Sequence, residues 1–278
     1  MKAYVPSHIT GFFAAKRDTD PMKAGSIGCG LTLDLGATTM VEKADKTEIF
    51  LNGQLSEAPV SRYVVDRLAR SPVRVDTRLD MPLGSGFGAS GGGALGCAYA
   101  LNSIFDLGML ANQAAAVAHA ADVVNRTGLG DVIAQNTGGL VVRLEPGAPG
   151  IGKVDRIPVP PLRIDYVVRG PISTREVLSD PAAMREINRA GEAAVKELLV
   201  KPTLEQFMKL SSRFTKQIGL GSPWVLDAIE AVEAAGGMGS MIMLGDAVFS
   251  VGGGGAEALA EFGEVGRTAV SHRGANLD

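Results

Sequence analysis

The sequence predicts an α+β protein built as two domains, and three observations lead there. Apolar segments of helical and of strand period alternate loosely, with hairpins among them, rather than in a strict βαβ array. A stretch rich in proline and glycine, residues 145–161, separates two such series and sets the expected boundary between a domain at 1–155 and a domain at 156–278. The 36 glycines cluster at 25–36, 84–96, 128–139, 236–245 and 252–255, each beside an apolar segment. Glycine lets a backbone approach a ligand closely, so such clusters read as loops converging on one ligand, with ordinary turns as the alternative.

Taken in order, residues 31–41, LTLDLGATTMV, read as a strand, with 47–51 as its partner across a polar turn. Residues 59–70 read as a helix: proline stands near its start, and Tyr63, Leu68 and the valines supply an apolar side. Residues 73–77 alternate apolar and polar, as a half-buried strand does. A glycine loop follows, then a helix over 90–105 with Leu95, Ala98, Leu101 and Phe105 on one face. An alanine-rich helix spans 112–124, and 138–144 reads as a strand. Beyond the connection, 162–168 is a strand and helices are expected at 181–199, 203–217 and 223–235. The first is capped by Asp180 with Pro181 at its first position. Short strands at 241–244 and 247–251 flank Gly245-Asp246, and 256–262 then 265–270 close the chain as helix and strand.

Composition narrows the function. Of 278 residues, 46% are hydrophobic and 21% charged, with a net charge of −3 and the two signs interspersed. No basic excess points to nucleic acid or an anionic membrane as partner. No apolar run approaches the roughly 20 residues of a membrane span, and the N-terminus does not read as a secretory signal. The two cysteines, Cys29 and Cys97, read as buried thiols in a reducing cytoplasm, with a 29–97 disulfide as the alternative. A homodimer is compatible with all of this.

Pro82, Gly84, Ser85, Gly86, Phe87, Gly88, Ala89, Ser90, Gly91 and Gly92 form the candidate nucleotide-binding loop. It joins a strand to a helix, so its amides sit at a helix N-terminus where unpaired N–H groups face an anion. The helix dipole contributes only about 0.3–1 kcal/mol at an exposed site. A triphosphate therefore also needs several amide hydrogen bonds and a cation. A Walker A loop ends in Gly-Lys-Ser/Thr, and no lysine stands here. Gly86, Gly88 and Gly91 match a dinucleotide fingerprint. However, the preceding strand carries Arg74 and Asp76, and no acidic residue ends a second strand about twenty residues on. A purely structural turn is the third reading.

The loop resembles the P-x-x-x-G-x-G-S-S phosphate loop of the GHMP kinase superfamily. The resemblance implies an N-terminal domain like part of a ribosomal protein, a ferredoxin-like C-terminal domain, and ATP with Mg²⁺ between them. It assigns the nucleotide and Mg²⁺ contact to Ser90; the loop's first serine is replaced by Ala89. The segment 125–135 is similar to the stretch carrying the family's catalytic Asp, which implies that Asp131 accepts the substrate hydroxyl's proton or orients it. A helix cap is its bland reading. Asp122 falls where the family has a Mg²⁺-binding Glu, and a solvated helix-face acid is the alternative. His8, in Val5-Pro-Ser-His-Ile-Thr10, aligns with a family Lys near the transferred phosphate and is a candidate for catalysis or substrate binding. A structural histidine is equally compatible; His119 and His272 are read as structural or exposed. The third family motif, normally glycine-rich, appears at 239–249 with methionines in place of glycines.

Segments 6–13, 84–88, 125–131 and 243–249 together are similar to the archaeal pantoate kinases. That implies conversion of ATP and pantoate to 4-phosphopantoate on the route to coenzyme A. Arg126, Arg62 and Arg143 are candidate partners for the substrate carboxylate. A kinase for another small alcohol, such as homoserine or mevalonate, and a non-catalytic nucleotide-binding regulator are the alternatives.

Overall fold

The structure, a computed structural model, describes residues 1–172, 177 and 179–278. Among these residues two sheets form. The first contains β1 (Lys2–Lys16), β2 (Gly25–Lys43), β3 (Glu48–Leu51), β4 (Gln54–Leu55), β5 (Val73–Leu79), β6 (Leu140–Glu145), β7 (Lys153–Ile157) and the C-terminal β12 (Asn276–Leu277). The second contains β8 (Arg163–Pro171), β9 (Met238–Met241), β10 (Gly245–Val251) and β11 (Gly266–Ala269), in the order β11-β8-β10-β9.

The first sheet is organised by the antiparallel pair β1–β2, whose register shifts between Pro6 and Ser7 and again between Thr10 and Phe12. Each shift is a β-bulge, which bends the strand and re-aims its side chains. The long β2 serves two partners on its other edge: Gly28–Leu31 pairs with β6, and Ala37–Lys43 with β5. The expected 47–51 partner of β2 is therefore corrected. With β5 on that edge, β3 pairs in parallel with β5 instead. The proline- and glycine-rich connection also contains a strand that its composition hid, because β7 pairs with β6. The hairpin expected around Gly245-Asp246 turns earlier, over 242–244, where the Gly245 amide donates to the Ile242 carbonyl at 3.0 Å.

Helices α1 (Pro59–Leu68), α2 (Ala89–Ile104) and α3 (Ala111–Asn125) cover one part of this sheet, and Leu95, Ala98 and Leu101 join Val5, Val41 and Val75 in one core. The short α4 (Asp131–Thr137) follows. Helices α5 (Pro181–Val200), α6 (Leu204–Ile218) and α7 (Pro223–Ala234) pack with the second sheet and with β1 and β2, and α8 (Gly255–Leu259) ends the helical series. The helix starts obey their local chemistry. Asp180 accepts from the Ala182 and Ala183 amides, Thr203 from Gln206, and Ser222 from Val225. Cys29 and Cys97 are both buried free thiols, in separate cores. No described helix is long and apolar enough to cross a membrane.

The join between the helical layer and β1 depends on Gly191. A Cβ there would stand 1.8 Å from the Phe13 carbonyl oxygen, so α5 rests directly on the β1 backbone. Gly191→Ala should therefore cost about 3 kcal/mol by forcing the helix off the strand, read as a lower urea midpoint; an unchanged midpoint would show that the contact yields freely.

Candidate functional site

A cavity of about 410 Å³ lies where the glycine loop, the 125–131 segment, β1 and the β9–β10 turn meet. The backbone around it follows from a simple constraint. In a trans peptide the carbonyl and the next N–H point opposite ways. The amide that follows a held carbonyl therefore points away from that carbonyl's donor. Three carbonyls of the loop are held so. The Ile172 amide donates to Gly84 at 3.2 Å, the His8 amide to Phe87 at 3.1 Å, and the Gln135 side-chain amide to Gly88 at 3.0 Å. The conformation needs glycine: Gly84, Gly86 and Gly88 have φ of +73°, +83° and +67°. Gly88 is also the N-cap of α2, whose first amides have no partner within the helix.

Gly84, Gly86, Phe87, Gly88, Ala89 and Ser90 line the cavity. Pro82, Ser85, Gly91 and Gly92 do not line it, and Gly91 and Gly92 are buried against Gln135 of α4. Phe87 is 1% exposed, and its ring packs edge-on against Tyr166 of β8 at 5.2 Å.

The acidic candidates converge. Asp131 opens α4 and lines the cavity, where the positive end of the helix favours a carboxylate. The cap position itself belongs to Gly130, so Asp131 is not the helix cap. Asp122, near the end of α3, is 2% exposed and does not itself line the cavity, but it accepts hydrogen bonds from the hydroxyls of Ser90, at 3.2 Å, and Thr127, which do. A Cβ on Gly128 would fall 2.2 Å from one Asp122 oxygen and 2.9 Å from one Asp131 oxygen, so the two carboxylates flank that glycine. Burial, reinforced by the Asp131 charge, pushes the Asp122 carboxyl up to about 7. No described cluster of three or more His, Cys, Asp or Glu forms a metal cage. A hydroxyl and a carboxylate beside a second carboxylate do fit a hard divalent cation that takes its remaining ligands from water and phosphate.

His8 is corrected as a substrate contact. It is 0% exposed and does not line the cavity. Its Nδ1 lies 2.7 Å from Asp131 Oδ1 and its Nε2 3.4 Å from Arg143 Nη1. A guanidinium only donates. Nε2 therefore accepts, and Nδ1–H donates to Asp131. Burial lowers the ring's basicity, which agrees with a neutral imidazole.

The arginines separate. Arg143 of β6 is 1% exposed yet lines the cavity, and its buried Nε has no hydrogen-bond partner among the described residues. Arg126 lines the cavity from an exposed position just after α3. Arg62 is corrected: it lies in a different groove with Lys46, Glu48 and Glu57, because the face of α1 that carries it turns away from the loop. His119 is structural, with Nε2 2.9 Å from the Ala24 carbonyl. Sequence reasoning missed Gln135, Ser26 and Phe13, the last two lining the cavity. Nothing local marks Ser26 and Phe13; Gln135 sits one helical turn after Asp131, a spacing that places both on one face.

Residues 58–139 match the GHMP kinases N terminal domain. The chain is 38% identical to a pantoate kinase of Thermococcus kodakarensis over 265 residues, covering 90% of this chain and 87% of that one. It is 34% identical to a pantoate kinase of Methanocaldococcus jannaschii over 256 residues, covering 89% and 91%. A solved phosphotransferase related to the CoA biosynthesis pathway superposes with a TM-score of 0.90 at 32% identity, covering 100% of this chain and 98% of its own. A mevalonate pyrophosphate decarboxylase from Streptococcus pyogenes, at 16% identity and TM-score 0.73 over 97% and 96% of the two chains, shares the fold.

Asp122 gives the site a pH signature. Unfolded, its carboxyl titrates near the ordinary 3.8; folded, it holds its proton to about 7. Between those values the folded state binds more protons, so this group's contribution makes stability fall as pH rises from about 4 to about 7. In Mg²⁺-free buffer Asp122→Asn should remove that slope from the thermal midpoint. Parallel midpoint–pH curves for the two proteins would refute the assignment.

Proposed function

From the chain's membership of the pantoate kinase family of GHMP kinases, we propose that it transfers the γ-phosphoryl group of ATP to the 4-hydroxyl of pantoate, supplying 4-phosphopantoate for coenzyme A synthesis. The observation that carries this reading is the convergence of Asp131, the glycine-loop residues Gly86, Gly88, Ala89 and Ser90 and the buried Arg143 on one cavity. Phosphoryl transfer asks little covalent chemistry of a protein; it asks for positioning and charge stabilisation.

Each part has a role in the reaction. The loop amides and Ser90 hold the phosphates of ATP. Ser90 and Asp122 would hold Mg²⁺, which would neutralise charge developing on the phosphates. Asp131 accepts the proton of the attacking hydroxyl. His8, donating from Nδ1, fixes the Asp131 carboxylate and leaves its other oxygen toward the cavity. Arg143 has donors to spare after His8 and receives the pantoate carboxylate, an ionic pairing stronger out of water. Arg126 adds positive charge at the rim. Phe13, Ile172, Met243 and Leu244 supply an apolar wall for the two methyl groups on the acid's third carbon. The two unpaired cysteines suit a reducing cytoplasm.

Coupled ADP-release assays against pantoate, homoserine and mevalonate test the reading. Turnover with homoserine or mevalonate but not pantoate would overturn it, and tight ATP binding without any turnover would favour a regulatory role. Asp131→Asn should lower kcat about 10²–10⁴-fold while leaving ATP affinity intact, as checked by calorimetry. Arg143→Lys should raise KM for pantoate about 30-fold or more, the effect of breaking one buried charged pairing, with KM for ATP unchanged.

A further inference from the structure

Gln135 is fully buried, lies on α4 four residues after Asp131, and makes a contact that local sequence does not require. Its Nε2 donates to the Gly88 carbonyl at 3.0 Å. That carbonyl already accepts the first helical bond of α2, from the Gly92 amide at 2.9 Å. It is therefore held twice, once by the helix it starts and once by the helix that carries Asp131. The opposing group of the same peptide is the Ala89 N–H, the first amide of α2, at a residue that lines the cavity.

The packing shows how tight the arrangement is. A Cβ at Gly88 would stand 3.2 Å from the Asp131 Cβ and 3.2 Å from Gln135 Nε2, so one face of α4 presents both residues to this glycine. The other two loop carbonyls are held by backbone amides, of His8 and Ile172. Of the three donors, Gln135 is the side chain. It also carries a cost: its Oε1 is buried with no hydrogen-bond partner among the described residues. A purely structural position is filled more favourably by an apolar residue of the same length, because an orphaned acceptor is destabilising.

We propose that Gln135 is a positioning residue for the nucleotide polyphosphate: it fixes the peptide plane between Gly88 and Ala89, aims the Ala89 N–H at the phosphates, and sets their distance from Asp131. This rests on reading the glycine loop as the phosphate site, and not on the identity of the acceptor. Gln135 touches neither substrate directly.

The test uses Gln135→Met, which keeps the length and removes both the donor and the orphaned oxygen, and Gln135→Glu, which places a second acceptor against the Gly88 carbonyl. ADP binding is measured by calorimetry in excess Mg²⁺, with steady-state KM values for ATP and for pantoate and the thermal midpoint of each protein. The expected result is an approximately tenfold weaker ADP affinity in Gln135→Met, a larger loss in Gln135→Glu, an unchanged KM for pantoate, and a midpoint in Gln135→Met no lower than that of the parent. ADP affinity within twofold of the parent overturns the proposal. So does an equal rise of both KM values with a fallen midpoint, and so does failure of both variants to fold, since each marks a structural role. Because ADP binding needs no acceptor, a parent protein that ignores pantoate would refute the substrate reading while leaving this result decisive.

Discussion

A loop that offers its amides to an anion must bury its carbonyls, and each buried carbonyl needs a donor. That constraint organises this molecule. The donors for Gly84, Phe87 and Gly88 come from the end of β8, from β1 and from α4. One of those strands belongs to the first sheet and one to the second, so the loop has its shape only when both sheets are in place. Phe87 reinforces the join, its ring buried against Tyr166 of the second sheet while its carbonyl is held by the first. The β9–β10 turn closes the other side: a Cβ on Gly86 would stand 2.5 Å from the Met243 carbonyl.

His8 shows how one residue can serve this constraint twice. Its backbone holds the loop, and its ring holds Asp131. The same residue thus ties the phosphate site to the carboxylate across the cavity. Behind it Arg143 is buried at a cost that isolated charges do not sustain; its nearness to Asp131 offsets part of that cost, and its unpaired Nε adds to it. Asp122 resolves its own burial differently. It keeps its proton to about pH 7 while two hydroxyls support the charged form. The site thus sets a cationic Arg143 near Asp131 and keeps at Asp122 a carboxyl that is neutral below about pH 7.

Several parts of this were legible in the chain. The first of the second-half helices was marked by Asp180-Pro181, and in the structure the side chains of Asp180, Thr203 and Ser222 all cap as their chemistry requires. The glycine loop and Asp131 stood out because an anion site needs a particular local backbone and a carboxylate nearby; Ser90 stood out through the family resemblance of that loop. The 15-residue β1 was not expected, since Val5-Pro-Ser-His-Ile-Thr10 carries proline and polar residues without clean alternation. Its two bulges break the period that would have revealed it. β7 was hidden by the proline and glycine on either side. Arg62 was a candidate through its charge, and its helix face excluded it.

The sequence by itself determined what neighbours along the chain can settle: where helices begin, where the backbone must adopt positive φ, and which residue types can bind phosphate or accept a proton. Tertiary structure decided which residues separated by long stretches of chain meet. His8, Asp131 and Arg143 form one hydrogen-bonded line, Gln135 reaches Gly88, and Ile172 reaches Gly84, because strand pairing and the burial of two cores bring β1, β6, α4 and β8 around one cavity. Propensity and capping act over a few residues. The identity of the arginine that faces the cavity, and of the groups that turn the phosphate loop outward, is set by packing across the whole fold.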